Sequence, residues 1–71
     1  MLTNNIVIQV EYRTQEEVLR VTVIRCRDLT WPNNIVGVWL LPGYNRHYTK
    51  DVYNTTNPEY HEVFLFPVSK E

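Results

Sequence analysis

Apolar side chains return at every second position in separate stretches of this chain, and no stretch repeats them at a helical period. That alternation restricts the fold more than any other feature, because it is the signature of strands with one face on a core. From Ile6 to Tyr12 the sequence reads IVIQVEY. Ile6, Ile8, Val10 and Tyr12 share one face, with Gln9 and Glu11 on the other. In EVLRVTVIRCRDL, Leu19, Val21 and Val23 share a face, opposite Arg20 and Thr22. The phase then slips by one residue, since Ile24 and Cys26 form the next apolar pair. A slip of one predicts a β-bulge within a continuous strand. The polar run RTQEE between these stretches has the length of a hairpin connection.

Three further segments complete the pattern. Ile35–Leu41 is almost continuously apolar, as expected of a strand covered on both faces. Pro42-Gly43 supplies turn chemistry after it. Arg46–Tyr53 is polar and aromatic, which predicts a strand near an edge. Asn54–Pro58 reads as a turn. In YHEVFLFPV, Tyr60, Glu62, Phe64 and Phe66 alternate with His61, Val63 and Leu65. Thr14–Leu19, the best helical candidate, is too short to hold a helix alone. The expected class is all-β.

With 71 residues there is room for one domain spanning 1–71 and none for a separate cofactor domain. A chain of this length removes only about 60% of its unfolded surface from water, so its core is marginal. The single cysteine, Cys26, allows no internal disulfide, which fits a reducing, cytoplasmic setting. No segment reads as a signal peptide or a transmembrane helix. A net charge of -1 argues against nucleic acid as a partner.

Chemistry-bearing residues are sparse. His47, His61 and Cys26 lack zinc-ligand spacing, and neither histidine lies in a nucleophile motif. A small hydrolase pairing Cys26 with His47 or His61 ranks last among the readings. Cys26 reads better as a small packing residue. Two glycines make no phosphate loop, and Glu16-Glu17 reads as a solvated turn. Asn54-Thr55-Thr56 matches a glycosylation sequon but reads as a polar turn. No cofactor or metal is expected. Arg46, His47 and Lys50 cluster along one segment, where they either meet an anionic surface or serve as solvated edge charges. Trp31, in LTWPNN, either enters a membrane interface from a loop tip or folds back over the sheet.

Three stretches together resemble the N-terminal part of a C2 domain of the synaptotagmin type. They are Leu19–Leu29, with Cys26 at a usually small position and Leu29 at a characteristic leucine; Val36–Gly43, ending in Leu-Leu-Pro; and Tyr48–Phe66. The last carries Thr49-Lys50, Asn57-Pro58, and then Tyr60, Glu62, Phe64 and Phe66 at the family's spacing. The resemblance implies an antiparallel Greek-key β-sandwich, here a partial one with about five of the family's eight strands. Where calcium-binding members carry Asp-Pro-Tyr, this chain has Asn33-Asn34-Ile35. Asp28 matches no ligand position, and the family's third calcium loop has no counterpart.

The resemblance therefore implies a non-enzymatic, calcium-independent module. Its expected role is peripheral association with anionic phospholipid, through Trp31 with Arg46, His47 and Lys50. The alternatives are a protein-interaction module working through exposed strand edges, and a truncated fragment without a function of its own. Missing strands would leave edges open, so self-association is expected as well.

Overall fold

The computed structural model describes residues 5–41 and 46–68, and the Pro42-Gly43 turn lies outside them. The described residues form five strands: β1 (Asn5–Arg13), β2 (Val18–Arg27), β3 (Gly37–Trp39), β4 (Arg46–Tyr48) and β5 (Glu59–Pro67). They lie in two antiparallel sheets, one ordered β1-β2-β5 and the other made of β3 and β4. The all-β architecture expected from the alternation is the one observed.

The larger sheet follows the alternation closely. Pairing places Tyr12, Leu19 and Phe66 in one row, and Val10, Val21 and Phe64 in the next. All of these positions share the inner face. The pairing skips Ile24 against both neighbours, so β2 carries the bulge anticipated there. The extra residue returns Cys26 to the inner face, where it is buried beside Val23 and Tyr60. The hairpin turns through Thr14–Glu17, with Glu17 in the left-handed region at φ 53°.

The second sheet packs on this face. Val36, Val38 and Val52 meet the Val23–Cys26–Tyr60 cluster, joined by Leu29 and Phe64. The His47 ring stacks on Phe64 with centroids 5.4 Å apart, and stands edge-on to Phe66 at 5.0 Å. Thr49 and Val36 lock the two strands reciprocally: Thr49 N–H donates to Val36 O at 2.9 Å, and Val36 N–H donates to Thr49 Oγ1 at 2.9 Å.

Two expectations need correction. The strands expected over Ile35–Leu41 and Arg46–Tyr53 are each reduced to three regular residues, with an isolated bridge between Asn34, before the first, and Val52, after the second. Nor is the apolar run of β3 covered on both faces. Trp39 is 51% exposed and Leu41 76%, because among the described residues one sheet lies beneath this strand and none above it. The narrow second sheet also fails to cover β1. Ile6 and Ile8 are separated from Val36 and Val38 by a cleft of about 300 Å³ whose rim reaches Gly37 and Trp39.

Among the described residues Tyr60 is the largest buried side chain, only 2% exposed. Its hydroxyl has no hydrogen-bond partner. Burial raises the phenol above its ordinary value, the nearby Cys26 adds to this, and the Thr49 hydroxyl opposes it without reaching bonding geometry. A buried unpaired hydroxyl costs roughly 1–3 kcal/mol. Tyr60→Phe is therefore expected to stabilise the fold by about 1 kcal/mol, the lower end of that range. Urea unfolding checks it, and a loss of stability of similar size contradicts it.

Candidate docking surface

The loop after β2 and the segment before β5 lie side by side and are stitched together by hydrogen bonds. Cys26 N–H donates to Pro58 O at 3.0 Å, and Leu29 N–H to Thr56 O at 2.9 Å. Thr55 N–H donates to Pro32 O at 2.9 Å. Asn34 and Val52 exchange two backbone bonds of 3.0 and 3.1 Å. Side-chain amides add to the seam: Asn57 Oδ1 accepts from Asp28 N–H at 2.9 Å, and Asn33 Oδ1 from Asn54 N–H at 3.0 Å. The Asn34 side chain donates to Trp31 O. Asp28 and Asn54 take left-handed backbone at φ 56° and 62°, a conformation that Asp and Asn tolerate better than most residues.

This seam holds the backbone around Trp31 while its side chain points away. Trp31 is 71% exposed, so the ring does not fold back over the sheet. Ile35 and Tyr53, also exposed, lie on the two stitched segments. The Tyr53 hydroxyl donates to Asp51 Oδ2 at 3.1 Å.

The outer face of β3 and β4 adjoins the loop at the Asn34–Val52 bridge and runs away from it to the Trp39–Arg46 pair. Alternation places Gly37 and Trp39 on it from one strand, and Arg46 and Tyr48 from the other, in the pairs Gly37↔Tyr48 and Trp39↔Arg46. The Arg46 guanidinium sits 5.6 Å from the Trp39 ring centroid, within cation–π range. The Tyr48 ring packs over the bare backbone of Gly37, where a Cβ would stand 2.9 Å from its Cε1 and push this exposed ring aside. Lys50 continues the alternation beyond β4 and is exposed. Its backbone N–H donates to Glu62 Oε2 at 2.9 Å, which anchors this end of the segment to β5.

His47 does not belong to this face. The same period that turns Arg46, Tyr48 and Lys50 outward turns His47 inward onto Phe64 and Phe66. Grouping it with Arg46 and Lys50 by sequence proximity overlooked the parity of the strand. Trp39 and Tyr48 were missed in turn. Their shared face follows from the alternation, but the continuously apolar run of β3 conceals that it is open to solvent.

Charge separates this face from the first sheet. There Arg13 and Arg20 lie 3.5 and 3.7 Å from Glu11, and Arg25 and Arg27 lie 3.0 and 2.9 Å from Glu59. Among the described residues neither Arg46 nor Lys50 has such an ion pair.

Glu59 is the centre of the strongest cluster. Arg27 above all, then His61 and Arg25, hold its carboxyl down to about 2, from an ordinary value of 4.5. The folded value lies below the unfolded one, so this contribution to stability is present above about pH 4.5 and is lost as pH falls towards 2. Glu59→Gln is expected to flatten the loss of stability between pH 5 and pH 2, read from urea midpoints at each pH, where about 4.5 and 2 bracket the titration. An unchanged slope contradicts this.

Other chemistry finds little support. Burial pushes the Cys26 thiol up, away from the thiolate that a nucleophile needs. His61 is bonded to Glu59 at 2.8 Å. Among the described residues no three His, Cys, Asp or Glu side chains come together.

A family model for the C2 domain matches residues 17–71, from the end of the first turn through β5, with β1 outside the match. The chain belongs to the C2 domain family. Comparison with curated proteins returns no match. C2 domains are modules for binding membranes or proteins and are generally not catalytic. Among the described residues of this C2 domain no helix is long and apolar enough to cross a membrane. The stitched loop and the outer β3–β4 face are two of its exposed surfaces.

Proposed function

We propose that this C2 domain docks on anionic phospholipid surfaces without calcium. Trp31 enters the interface, while Arg46 and Lys50 meet the headgroups. The reading rests above all on Trp31, a large amphipathic ring 71% exposed on a loop held by several hydrogen bonds. Little loop ordering remains to be done at the moment of binding. Arg46 and Lys50 lie four residues apart on one face, about 13 Å along an extended strand. Each contributes ~1 kcal/mol near an anionic leaflet. Trp39, Tyr48 and Ile35 give the same side apolar and aromatic area that suits the interface.

The calcium clause rests on the donors at hand. Calcium takes six to eight oxygens, with several carboxylates among them. The loop from Asp28 to Val36 contains one carboxylate, Asp28, and the Asn33 side-chain oxygen already accepts from Asn54 N–H. These residues do not fit the ion.

Co-sedimentation with phosphatidylserine vesicles tests the reading. Arg46→Ala with Lys50→Ala is expected to weaken binding by roughly thirtyfold at low salt, from ~1 kcal/mol per side chain. The double variant should also lose most of the salt dependence. Binding unchanged by the double substitution contradicts the assignment of these two residues.

A further inference from the structure

The long edge strand β1 has no use in the proposed docking. Among the described residues nothing pairs with its outer edge, since the sheet order is β1-β2-β5. All nine residues of β1 are exposed, including the inner-face residues Ile6, Ile8, Val10 and Tyr12. The other edges are protected. β5 is broken in register opposite the β2 bulge, has His61 at φ 53°, carries Glu59 and Glu62, and ends at Pro67. β3 and β4 are each three residues long. β1 holds no proline or lysine, and the bulge residue at its pairing belongs to β2.

We infer that β1 pairs with β1 of a second copy of this chain, antiparallel about a two-fold axis at Gln9, to make one continuous six-stranded sheet. Gln9 is the midpoint of Asn5–Arg13, so this register pairs the whole strand. It sets Ile8 opposite Val10, Ile6 opposite Tyr12, Val7 opposite Glu11, Asn5 opposite Arg13, and Gln9 opposite its own copy. No like charges oppose each other. A two-fold axis perpendicular to the sheet keeps both inner faces on the same side, so the exposed stripe Ile6–Ile8–Val10–Tyr12 adjoins its own copy as one apolar band. Shifting the centre by one residue, to Val10, leaves Asn5 and Ile6 without partners in β1.

Gln9 sits on the outer face and is exposed, so its substitution leaves the core intact. The test is sedimentation equilibrium of the full chain over the micromolar range, with far-UV circular dichroism of each variant. The wild-type chain should dimerise. Gln9→Lys and Gln9→Glu should each raise the dimer dissociation constant by about tenfold, since each sets like charges face to face. An equimolar mixture of the two should restore dimerisation as a heterodimer. A wild-type chain that stays monomeric overturns the proposal. So does a dimer unaffected by Gln9→Lys, or one that Gln9→Lys strengthens, which would mark pairing with Glu11 in the shifted register.

Discussion

Trp31→Ala is expected to lower binding to phosphatidylserine vesicles by roughly thirtyfold, equivalent to about 2 kcal/mol of apolar transfer for a large side chain. The ring is solvent-exposed in the free protein, so its substitution removes almost no internal packing. Stability should therefore change by less than about 0.5 kcal/mol, as for an ordinary surface position. The combination is diagnostic: a large loss of binding with an unchanged unfolding midpoint. Trp31→Phe should recover part of the affinity, because an aromatic ring still enters the interface. Binding that survives Trp31→Ala undiminished contradicts the role given to this side chain.

Tyr60→Ala should have the largest effect on stability. Truncating a buried aromatic costs about 3–5 kcal/mol. Tyr60 anchors the cluster with Val23 and Cys26, onto which Val36, Val38 and Val52 from the second sheet pack. A core in a chain this short rarely supplies more than 3–5 kcal/mol in total. The variant is therefore expected to lose its cooperative urea transition and its near-ultraviolet dichroism at room temperature. A cooperative transition within about 1 kcal/mol of wild type contradicts the placement of Tyr60 at the centre of the core. Together with the expected gain from Tyr60→Phe, this separates the ring, which holds the sheets together, from the hydroxyl, which opposes them.

The parts legible in the sequence were those set by local alternation. The inner row Tyr60, Glu62, Phe64 and Phe66, the hairpin after β1 and the bulge at Ile24 all follow from period two and its single slip. Burial does not follow from period two alone. Ile35–Leu41 reads the same whether one sheet or two cover it, and here Trp39 and Leu41 lie open. His47 shows how proximity in sequence misleads in a strand, since neighbours face opposite ways. The seam that fixes Trp31 was illegible for another reason. It joins residues 26–34 to residues 52–58 mostly through backbone groups, which no side-chain pattern encodes, and the Asn33 and Asn57 side chains meet their partners only across that long separation. The cluster at Glu59 likewise depends on register, since Arg25 comes opposite Glu59 only after the bulge has shifted the pairing.

The outer face of β3 and β4 connects these findings to function. Its exposure is what the apolar run of β3 conceals, and it sets Arg46, Tyr48 and Lys50 on one face, with Lys50 towards the Asn34–Val52 bridge next to the Trp31 loop and Arg46 at the far end, opposite Trp39. The first sheet is far less suited to an anionic partner, because Glu11 and Glu59 neutralise its arginines.

The most direct measurement is co-sedimentation of the wild-type chain with phosphatidylserine vesicles and with neutral vesicles, in chelator and in calcium. Binding to the anionic vesicles is expected to be equal in chelator and in calcium, and much weaker to neutral ones. Binding that requires calcium, or no binding to anionic vesicles under either condition, contradicts this.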